Sequence, residues 1–483
     1  MLTKLEFRQE KNFIGGEWVA ADGGGTIRVT DPATGDVLGT VPNCGAAETR
    51  RDIEAAHAAF PAWRKKTAAE RSALLMKLAQ LIRDNTEALA TLLTMEQGKP
   101  LAEARGEVGG SAAYVQWFAE EARRAYGDVI PSPWGDRRIL VTKEPVGVVG
   151  AITPWNFPSS MIARKLGAAL AAGCTIVVKP ADLTPYSGLA WGLLCEKAGI
   201  PAGVVNIVTG EAPAIGAELT GNPLVRKITF TGSTPVGKLL AAQSAPTMKR
   251  VSMELGGNAP FIVFDDADLD RAVEGAMLAK YRNAGQTCVC TNRFYVQAGI
   301  HDTFAERLAA AVATVKVGNG FEAGVQLGPL IDQRALAKVE AHLADATGKG
   351  ATIVTGGGRH ALGGNFFEPT VVKGVTQTMR VATEETFGPL APIFRFETEE
   401  EVVGWANATE YGLAAYFYTR DLARAFRVAE ALKYGMVGVN EGLITTEVAP
   451  FGGVKESGIG REGSRYGLDD YMDVKYVCLG GIA

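Results

Sequence analysis

Cys288 lies in the stretch YRNAGQTCVCTNR, among small and polar residues that leave a sulfur accessible. A cysteine thiolate attacks electrophilic carbon, so this residue is a candidate nucleophile. Free cysteine is nevertheless among the most buried residue types and usually behaves as a small apolar residue. The nucleophile assignment therefore depends on finding a base and an oxyanion donor elsewhere in the chain.

Glu254 is the best candidate base. The segment MELGGNAP places it at the end of a predicted buried strand, just before a paired-glycine loop. Desolvation at such a position raises a carboxyl pKa and suits the group to deprotonate a water near neutral pH. An acid that pairs with Lys or Arg at a strand end is the alternative. Segments typical of ordinary helix or surface loop contain all the histidines, which are His57, His301, His342 and His360.

Asn156 is the candidate oxyanion donor. It stands in TPWNFP, between Pro154 and Pro158, in the loop after a predicted strand. Flanking prolines restrict the backbone and suit a side-chain amide that must point in one direction. An ordinary asparagine in a turn is the alternative.

The segment GSTPVGK, residues 232–238, resembles a nucleotide P-loop but lacks its last residue. Leu239 stands where a hydroxyl would bind magnesium, and G-x-G-x-x-G is not present here either. What remains is a glycine turn that opens a helix, whose free N–H groups can hold a phosphate. A plain strand-to-helix turn is the alternative.

Two acidic positions could bind ribose. Lys179 and Asp182, in VVKPAD, follow a predicted strand, and an acid there disfavours the extra phosphate of NADP. Glu385, in EETFGP, could hold the other ribose. A solvated loop pair and a surface glutamate are the respective alternatives.

Strand-like and helix-like segments alternate through the middle of the chain. Predicted strands are VGVVGAI, TIVVKP, VVNIVTG, KITFTG and RVSMELGG, with helices between them such as residues 185–198 and 235–243. Continuous Val/Ile runs alternating with helices predict a doubly wound parallel sheet, which binds ligands at the carboxyl ends of its strands. FIVF and RFYVQ begin a second α/β domain that runs to about residue 440. Residues 1–50 predict a hairpin-rich lead-in, and residues 137–145 and 470–479 predict strand-like arms.

Composition narrows the function classes. The formal charge is −4 with no basic run, which argues against nucleic-acid binding. The longest near-apolar run, residues 166–178, is shorter than the ~20 residues that span a bilayer, and the N-terminus lacks a signal-peptide core. Six cysteines in 483 residues make no disulfide framework and no zinc-site spacing. We expect a cytoplasmic protein with a small-molecule ligand and no structural metal.

The ordered set PWNFP, VVKPA, FTGST, ELGGNAP, GQTC, EETFGP and PFGGVKESGIGRE resembles the aldehyde dehydrogenase superfamily over essentially the whole chain. The resemblance implies that Cys288 is the nucleophile, Glu254 the general base and Asn156 part of the oxyanion hole. It implies a modified Rossmann domain over residues 1–125 and 142–256, an α/β catalytic domain over residues 257–445, and a small β oligomerisation arm from residues 126–141 and 463–483.

The same resemblance implies a set of contacts to NAD or NADP. They are Trp155, Lys179, Pro180, Ala181, Asp182, Gly232, Ser233, Leu255, Glu385 and Phe387. Members that use NADP tend to have a small hydroxyl residue where this chain has Asp182, so we expect a preference for NAD. The family also implies a homodimer or homotetramer whose arms pair between subunits, as an edge strand needs a partner.

PWNFPSSMIARK, YRNAGQTCVC and EGLITTEVAPFGG are similar to the succinate-semialdehyde dehydrogenase branch. Arg164 and Arg282 match the arginines that bind the substrate carboxylate there, and bidentate contacts suit that task. Thr445 stands where the branch usually has serine. The added methyl keeps glutarate semialdehyde as a rival substrate, since one methylene is worth only ~1 to 3 kcal/mol.

Cys290 suggests a redox hypothesis, in which a strained and readily reduced disulfide with Cys288 silences the enzyme. A passive thiol is the alternative. Two other classes of protein compete with a dehydrogenase. A P-loop hydrolase is disfavoured by Leu239, and a catalytically retired binding protein is disfavoured because Cys288, Glu254 and Asn156 are all present.

Overall fold

A computed structural model describes residues 6–482 of the chain. Residues 1–5 and 483, which begin the predicted cofactor domain and end the predicted arm, lie outside the described residues. In chain order the strands are β1 Asn12–Ile14, β2 Glu17–Val19, β3 Thr26–Thr30, β4 Val37–Pro42, β5 Asp128–Ile130, β6 Arg137–Pro145, β7 Val148–Ile152, β8 Thr175–Lys179, β9 Val205–Ile207, β10 Val225–Thr231, β11 Arg250–Glu254, β12 Ala259–Val263, β13 Thr291–Gln297, β14 Thr352–Thr355, β15 Thr370–Val375, β16 Leu390–Phe396, β17 Ala414–Tyr418, β18 Met436–Val439, β19 Gly458–Ile459 and β20 Met472–Gly480.

The α-helices are α1 Ala46–Arg64, α2 Ala68–Asp84, α3 Thr86–Gln97, α4 Leu101–Glu121, α5 Ser160–Ala172, α6 Pro185–Ala198, α7 Ala212–Gly221, α8 Thr234–Ser244, α9 Leu269–Tyr281, α10 His301–Ala313, α11 Gln333–Gly348, α12 Arg380–Thr383, α13 Glu399–Asn407, α14 Leu422–Ala431 and α15 Tyr466–Asp469. None of the helices within residues 6–482 is both long enough and apolar enough to cross a membrane.

The first sheet has the strand order β19-β11-β10-β7-β8-β9-β1-β2. Its five central strands are parallel, as the alternating pattern predicts. All five residues of β8 are buried, and both α1 and α5 pack against this strand. Burial of both faces explains why the strand reads as a continuous apolar run. The doubly wound prediction is confirmed.

The hairpin-rich lead-in is also confirmed. β1 and β2 form an antiparallel hairpin whose first strand pairs with β9, so this hairpin extends the first sheet. β3 and β4 form a separate antiparallel ribbon.

The second sheet has the order β14-β15-β16-β13-β12-β17-β18 and is parallel except for β14. It has its own aromatic core, in which the Phe261 ring centroid lies 5.2 Å from that of Phe294 and 5.0 Å from that of Tyr418. The carboxyl end of β11 in the first sheet leads directly into β12 of the second. Residues between these two strands therefore lie where the sheets meet.

The predicted arms form a third sheet of order β20-β6-β5. β6 and β20 pair with each other within the chain along nine residues from Met472↔Pro145 to Gly480↔Arg137, and pairing of the arm between subunits stays a prediction. This pairing gives β6 a hydrogen-bonded neighbour on each side and β20 a neighbour on one side only. β20 remains at the sheet edge, with Val474 and Tyr476 exposed.

Candidate active site

Cys288 lies between two cavities. One, of about 650 Å³, lies at the carboxyl ends of β10 and β11 and is called here the cofactor cavity. The other, of about 330 Å³, lies between α4, α5 and the segment after β18 and is called the substrate cavity. Cys288 lines both of them. This position lets one sulfur face ligands that enter from opposite sides.

The backbone before Cys288 is sharply turned. Asn283, Ala284 and Gly285 follow one another with φ values of 51°, 55° and 75°, all in the left-handed region. Gln286 fixes the loop with its side chain, because its Oε1 accepts from Ile331 N at 2.9 Å. The Gln286 side chain therefore anchors the loop that contains GQTC.

The paired-glycine loop after Glu254 passes directly behind the cysteine. A Cβ on Gly257 would lie 2.4 Å from the Cys288 carbonyl oxygen, so only glycine permits this approach. The Gly257 N–H donates to Glu385 Oε1 at 3.0 Å. Burial raises the pKa of Glu385 to about 7. Three segments distant in sequence thus converge on Cys288.

Burial raises the pKa of the Cys288 thiol to about 12. The Glu385 and Glu254 carboxylates contribute to this rise, and the Arg164 and Arg282 guanidinium groups oppose it. The thiol is therefore protonated at neutral pH when the cavities hold no ligand. Nucleophilic attack requires that its proton leave as the site fills.

Asn156 is buried, and hydrogen bonds rather than prolines alone fix its amide. Its Nδ2 donates to Gln286 O at 3.0 Å, which leaves its second N–H available to a ligand. The Asn156 carbonyl accepts from Lys99 Nζ at 2.7 Å and from Asn283 Nδ2 at 3.0 Å. Asn156 and Cys288 line the same cavity.

Glu254 ends β11 and is 2 % exposed, as its segment predicts. Neither carboxylate oxygen has a hydrogen-bond partner among the described residues. Burial raises its pKa well above the ordinary value, and the Glu462 carboxylate raises it further. The Lys165 ammonium, which pairs with Glu462 and donates to Thr231 Oγ1 at 2.6 Å, lowers it.

Sequence reasoning did not single out Lys165 and Glu462. Glu462 ends the quoted motif PFGGVKESGIGRE, and the strand β19 of that motif pairs with β11 at Glu254. His342, which the sequence assigned to ordinary helix or surface loop, also lies near the cofactor cavity. It is fully buried, and its ring nitrogens lie 3.1 Å from Thr386 Oγ1 and 3.1 Å from Glu384 Oε2, on either side of Glu385.

Arg164 is the main cation of the substrate cavity. Its guanidinium carbon lies 4.6 Å from the Tyr114 ring centroid and 4.4 Å from that of Phe451. Nε and one terminal nitrogen have no hydrogen-bond partner among residues 6–482, and the Glu462 carboxylate lies 3.7 Å away. A buried cation held by two rings, with free donors, is prepared to bind an anion.

Arg282 and Thr445 line the same cavity. The Arg282 guanidinium carbon lies 5.4 Å from the Phe157 ring centroid. Thr445 Oγ1 is buried and unpartnered among the described residues. The three residues expected to bind the substrate therefore come together beside Cys288.

The cofactor cavity contains six of the ten predicted cofactor contacts. They are Trp155, Gly232, Ser233, Leu255, Glu385 and Phe387. The Trp155 and Phe387 rings meet edge to face, with centroids 5.6 Å apart. Ser233 precedes α8, and Lys238 within this helix forms an exposed ion pair with Glu456 at 2.6 Å.

The other four predicted contacts do not line that cavity. They are Lys179, Pro180, Ala181 and Asp182, which follow β8 and precede the lining residue Leu183. Lys179 and Asp182 form an ion pair with each other. A pair at this strand end provides both charges that could discriminate a ribose hydroxyl from a phosphate.

Cys290 is buried away from both cavities. Its sulfur lies 3.4 Å from Lys280 Nζ, and its N–H donates to Thr287 O at 3.0 Å in a tight turn. Both cysteines are free thiols. The redox switch stays a prediction, since the turn supplies the bent backbone that a disulfide would need but the Cys290 sulfur faces a lysine.

The fold and the site agree with the comparisons to known proteins, which first give the class. The chain belongs to the aldehyde dehydrogenase family, whose model matches residues 18–477. It is an NAD(P)-dependent aldehyde dehydrogenase.

Individual relatives are similar along nearly the whole chain. A 3-sulfolactaldehyde dehydrogenase of Pseudomonas putida is 64% identical, with 98% of each chain covered. A glutarate-semialdehyde dehydrogenase of Pseudomonas aeruginosa is 62% identical, with 99% of this chain and 98% of the relative covered. An NADP(+) succinate-semialdehyde dehydrogenase of Escherichia coli is 59% identical, with 98% of each covered.

A solved structure confirms the fold. The crystal structure of succinate-semialdehyde dehydrogenase from Burkholderia pseudomallei superposes with a TM-score of 0.98. It is 63% identical, and the alignment covers 98% of both chains.

Proposed function

We propose that this aldehyde dehydrogenase oxidises succinate semialdehyde to succinate, with NAD as the preferred acceptor. The observation that carries the proposal is Arg164, a buried cation with free donors that faces the same cavity as Cys288. Arg282 adds a second positive charge, and Thr445 adds a hydroxyl. An aldehyde with a carboxylate at its far end satisfies these groups while its carbonyl lies against the sulfur.

The names of the relatives support an anionic substrate. Glutarate semialdehyde and succinate semialdehyde each join an aldehyde to a carboxylate, and 3-sulfolactaldehyde joins one to a sulfonate. Glutarate semialdehyde is the second candidate, because Thr445 retains a hydroxyl but changes the space around it.

The mechanism assigns one role to each group. Cys288 passes its proton to the Glu254 carboxylate, which releases it to solvent. The sulfur then attacks the aldehyde carbon, while the free N–H of Asn156 stabilises the oxyanion. NAD(P), when bound, supplies the acceptor for the hydride that leaves this carbon. The substrate is then a thioester on Cys288. Glu254 takes a proton from a water, which attacks the thioester and releases the carboxylic acid and the thiol.

The residues present fit a dinucleotide. Ser233 precedes the first turn of α8, where the N-terminus of a helix stabilises a phosphate, whereas the Gly232 N–H already donates to Glu254 O at 3.0 Å. Glu385 and the Lys179–Asp182 pair would hold ribose hydroxyls, and the Trp155 and Phe387 rings would contact the ring system. Asp182 disfavours a 2′-phosphate, which supports NAD over NADP.

Three further proposals concern assembly, domain division and location. The exposed edge of β20 supports a homodimer or homotetramer, in which residues 126–141 and 463–483 act as the arm. We also propose a division into a cofactor domain, residues 1–125 and 142–256, and a catalytic domain, residues 257–445, which is supported by the membership of β7 to β11 in the first sheet and of β12 to β18 in the second. We also propose a cytoplasmic location.

The substrate proposal is tested with kcat/KM for succinate semialdehyde, glutarate semialdehyde, 3-sulfolactaldehyde and the uncharged butanal, each with NAD and NADP. Arg164→Met and Arg282→Met should each lower kcat/KM for the anionic aldehydes by roughly 30- to 1,000-fold, because a buried charge pair is lost. Butanal should change by less than about 3-fold.

The exposed Arg105, which pairs with Glu87 on the surface, supplies the matched control Arg105→Met. This control should leave every substrate unchanged. Wild-type activity on butanal equal to that on the anionic aldehydes would contradict the anion pocket and leave only a general aldehyde dehydrogenase.

A further inference from the structure

Lys99 and Glu107 form a buried ion pair beneath the Asn156 loop. Lys99 Nζ lies 2.6 Å from Glu107 Oε2, and the two side chains are 0% and 2% exposed. The same ammonium donates to the Asn156 carbonyl at 2.7 Å and lies 3.9 Å from the Phe157 ring centroid. The ion pair therefore contacts the loop at two successive residues.

The second oxygen of Glu107 holds the residues that follow. Glu107 Oε1 accepts from Ser159 N at 2.9 Å and from Ser160 N at 3.1 Å, at the first turn of α5. A carboxylate there satisfies two backbone donors and complements the helix dipole. Because α5 carries Arg164, one carboxylate fixes both the start of that helix and the lysine under Asn156.

Hydrogen bonds between uncharged side chains reach the Asn156 backbone carbonyl from the side of Cys288. Gln97 Nε2 donates to Asn283 Oδ1 at 3.0 Å, and Asn283 Nδ2 donates to the Asn156 carbonyl at 3.0 Å. Gln97 Oε1 in turn accepts from Lys99 N at 3.0 Å. The Asn156 carbonyl thus receives a charged donor and an amide donor, and both come from groups tied to residues 97–107.

Stability alone is a weak reason for such a pair. Two charges lose their hydration when buried, and well-packed apolar residues of similar volume often serve the fold equally well. A charge-assisted hydrogen bond has a defined length and direction, which apolar packing lacks. The pair is better suited to aiming a group than to filling space.

We propose that Lys99 and Glu107 are positioning residues that aim the Asn156 amide at the developing oxyanion. Glu107 lines the substrate cavity, but neither residue is one of the reacting groups. They act through the Asn156 backbone, whose carbonyl they hold, and through the first turn of α5. The inference rests on the proposed function, in which Asn156 is the oxyanion donor.

The experiment is a double-mutant cycle between Glu107→Gln and Asn156→Ala in the full-length enzyme. The readout is the burst rate of reduced cofactor in a single turnover. Glu107→Gln keeps the shape and removes the charge, and should slow the burst by roughly 10- to 100-fold. The KM for NAD should change by less than about 3-fold, since neither Lys99 nor Glu107 lines the cofactor cavity.

In the Asn156→Ala background, Glu107→Gln should slow the burst by less than about 3-fold further, because the group that it aims is gone. Lys99→Met is the second variant and should behave in the same way. Arg105→Gln, which breaks an exposed ion pair on the same helix, is the matched control and should leave the burst unchanged.

Two results would overturn the inference. One is an unchanged burst in Glu107→Gln and in Lys99→Met. The other is a Glu107→Gln effect that multiplies fully with that of Asn156→Ala, which would mean that the pair acts elsewhere. Failure of the proposed function looks different. There, the wild type shows no aldehyde-dependent burst, or Asn156→Ala alone retains the full burst rate.

Discussion

The two cavities that meet at Cys288 contribute charged groups that shift the pKa of its thiol in opposite directions. The cofactor cavity is lined by the carboxylates Glu254 and Glu385, which raise the pKa of the thiol. The substrate cavity contains Arg164 and Arg282, which lower it. The walls differ in kind as well, because glycine turns at strand ends shape the first and helix side chains shape the second. Two separate sets of residues, one from each cavity, therefore set the pKa of the Cys288 thiol.

Removing the shared residue should have the largest effect. Cys288→Ala should lower kcat by more than about 1,000-fold, because both cavities remain but no covalent intermediate forms. NAD affinity, measured by fluorescence titration, should stay within about 3-fold of wild type. Residual turnover comparable with wild type would show that the two cavities do not meet at a nucleophile.

The pH dependence of alkylation measures the tuning directly. Burial holds the pKa of Cys288 near 12, so its thiolate fraction rises tenfold with each pH unit well below that value. Inactivation by iodoacetamide without ligands should therefore accelerate roughly 100-fold between pH 7 and 9. At pH 8, Arg282→Met should react more slowly than wild type, and Glu385→Gln should react faster.

Labelling is followed by mass spectrometry, with Cys288→Ala to subtract reaction at the exposed Cys478. A plateau of the inactivation rate below pH 8 would contradict a raised pKa. Equal rates in the two charge variants would show that the cavities do not act in opposite directions.

A change beside the cofactor cavity should leave the aldehyde side untouched. Asp182→Ala removes an acid and should raise kcat/KM with NADP by roughly tenfold relative to NAD. The KM for the aldehyde should not move. Asp36→Ala, at an exposed turn, is the control. An unchanged cofactor ratio would mean that the Lys179–Asp182 pair takes no part in choosing the cofactor.

The smallest expected effect comes from the substrate cavity. Thr445→Ser keeps the hydroxyl and removes one methyl, and should change the ratio of kcat/KM for glutarate against succinate semialdehyde by at most roughly 10-fold. The kcat/KM values measured with NAD and those measured with NADP should change in parallel. A shift in cofactor preference instead would contradict the separation of the two cavities.

Much of the fold follows from local sequence. The run TIVVKP predicts β8, and the pattern from residue 185 to 198 coincides with α6. Alternation of strands and helices then leaves few arrangements other than a parallel sheet. The partner of β20 could not be predicted in the same way, because an edge strand pairs equally well within a chain or across subunits.

Some residues of the candidate site can likewise be recognised from local sequence, and others cannot. Cys288 and Glu254 are visible because their neighbours are glycines and small polar residues, which mark a turn beside a strand. Lys165 cannot be recognised from the sequence, since it lies in an ordinary apolar helix. Its role depends on Glu462, a residue 297 positions away.

The sequence by itself determined the reactive residue types, the alternating elements and the family. Only the tertiary structure decided that Lys99 lies under Asn156, 57 residues away, and that Arg164 is held between two aromatic rings. Local propensity and periodicity act over a few turns of chain, so they specify elements. Contacts between distant side chains arise when those elements pack, and packing sets the distances that aim an amide or prepare a cation.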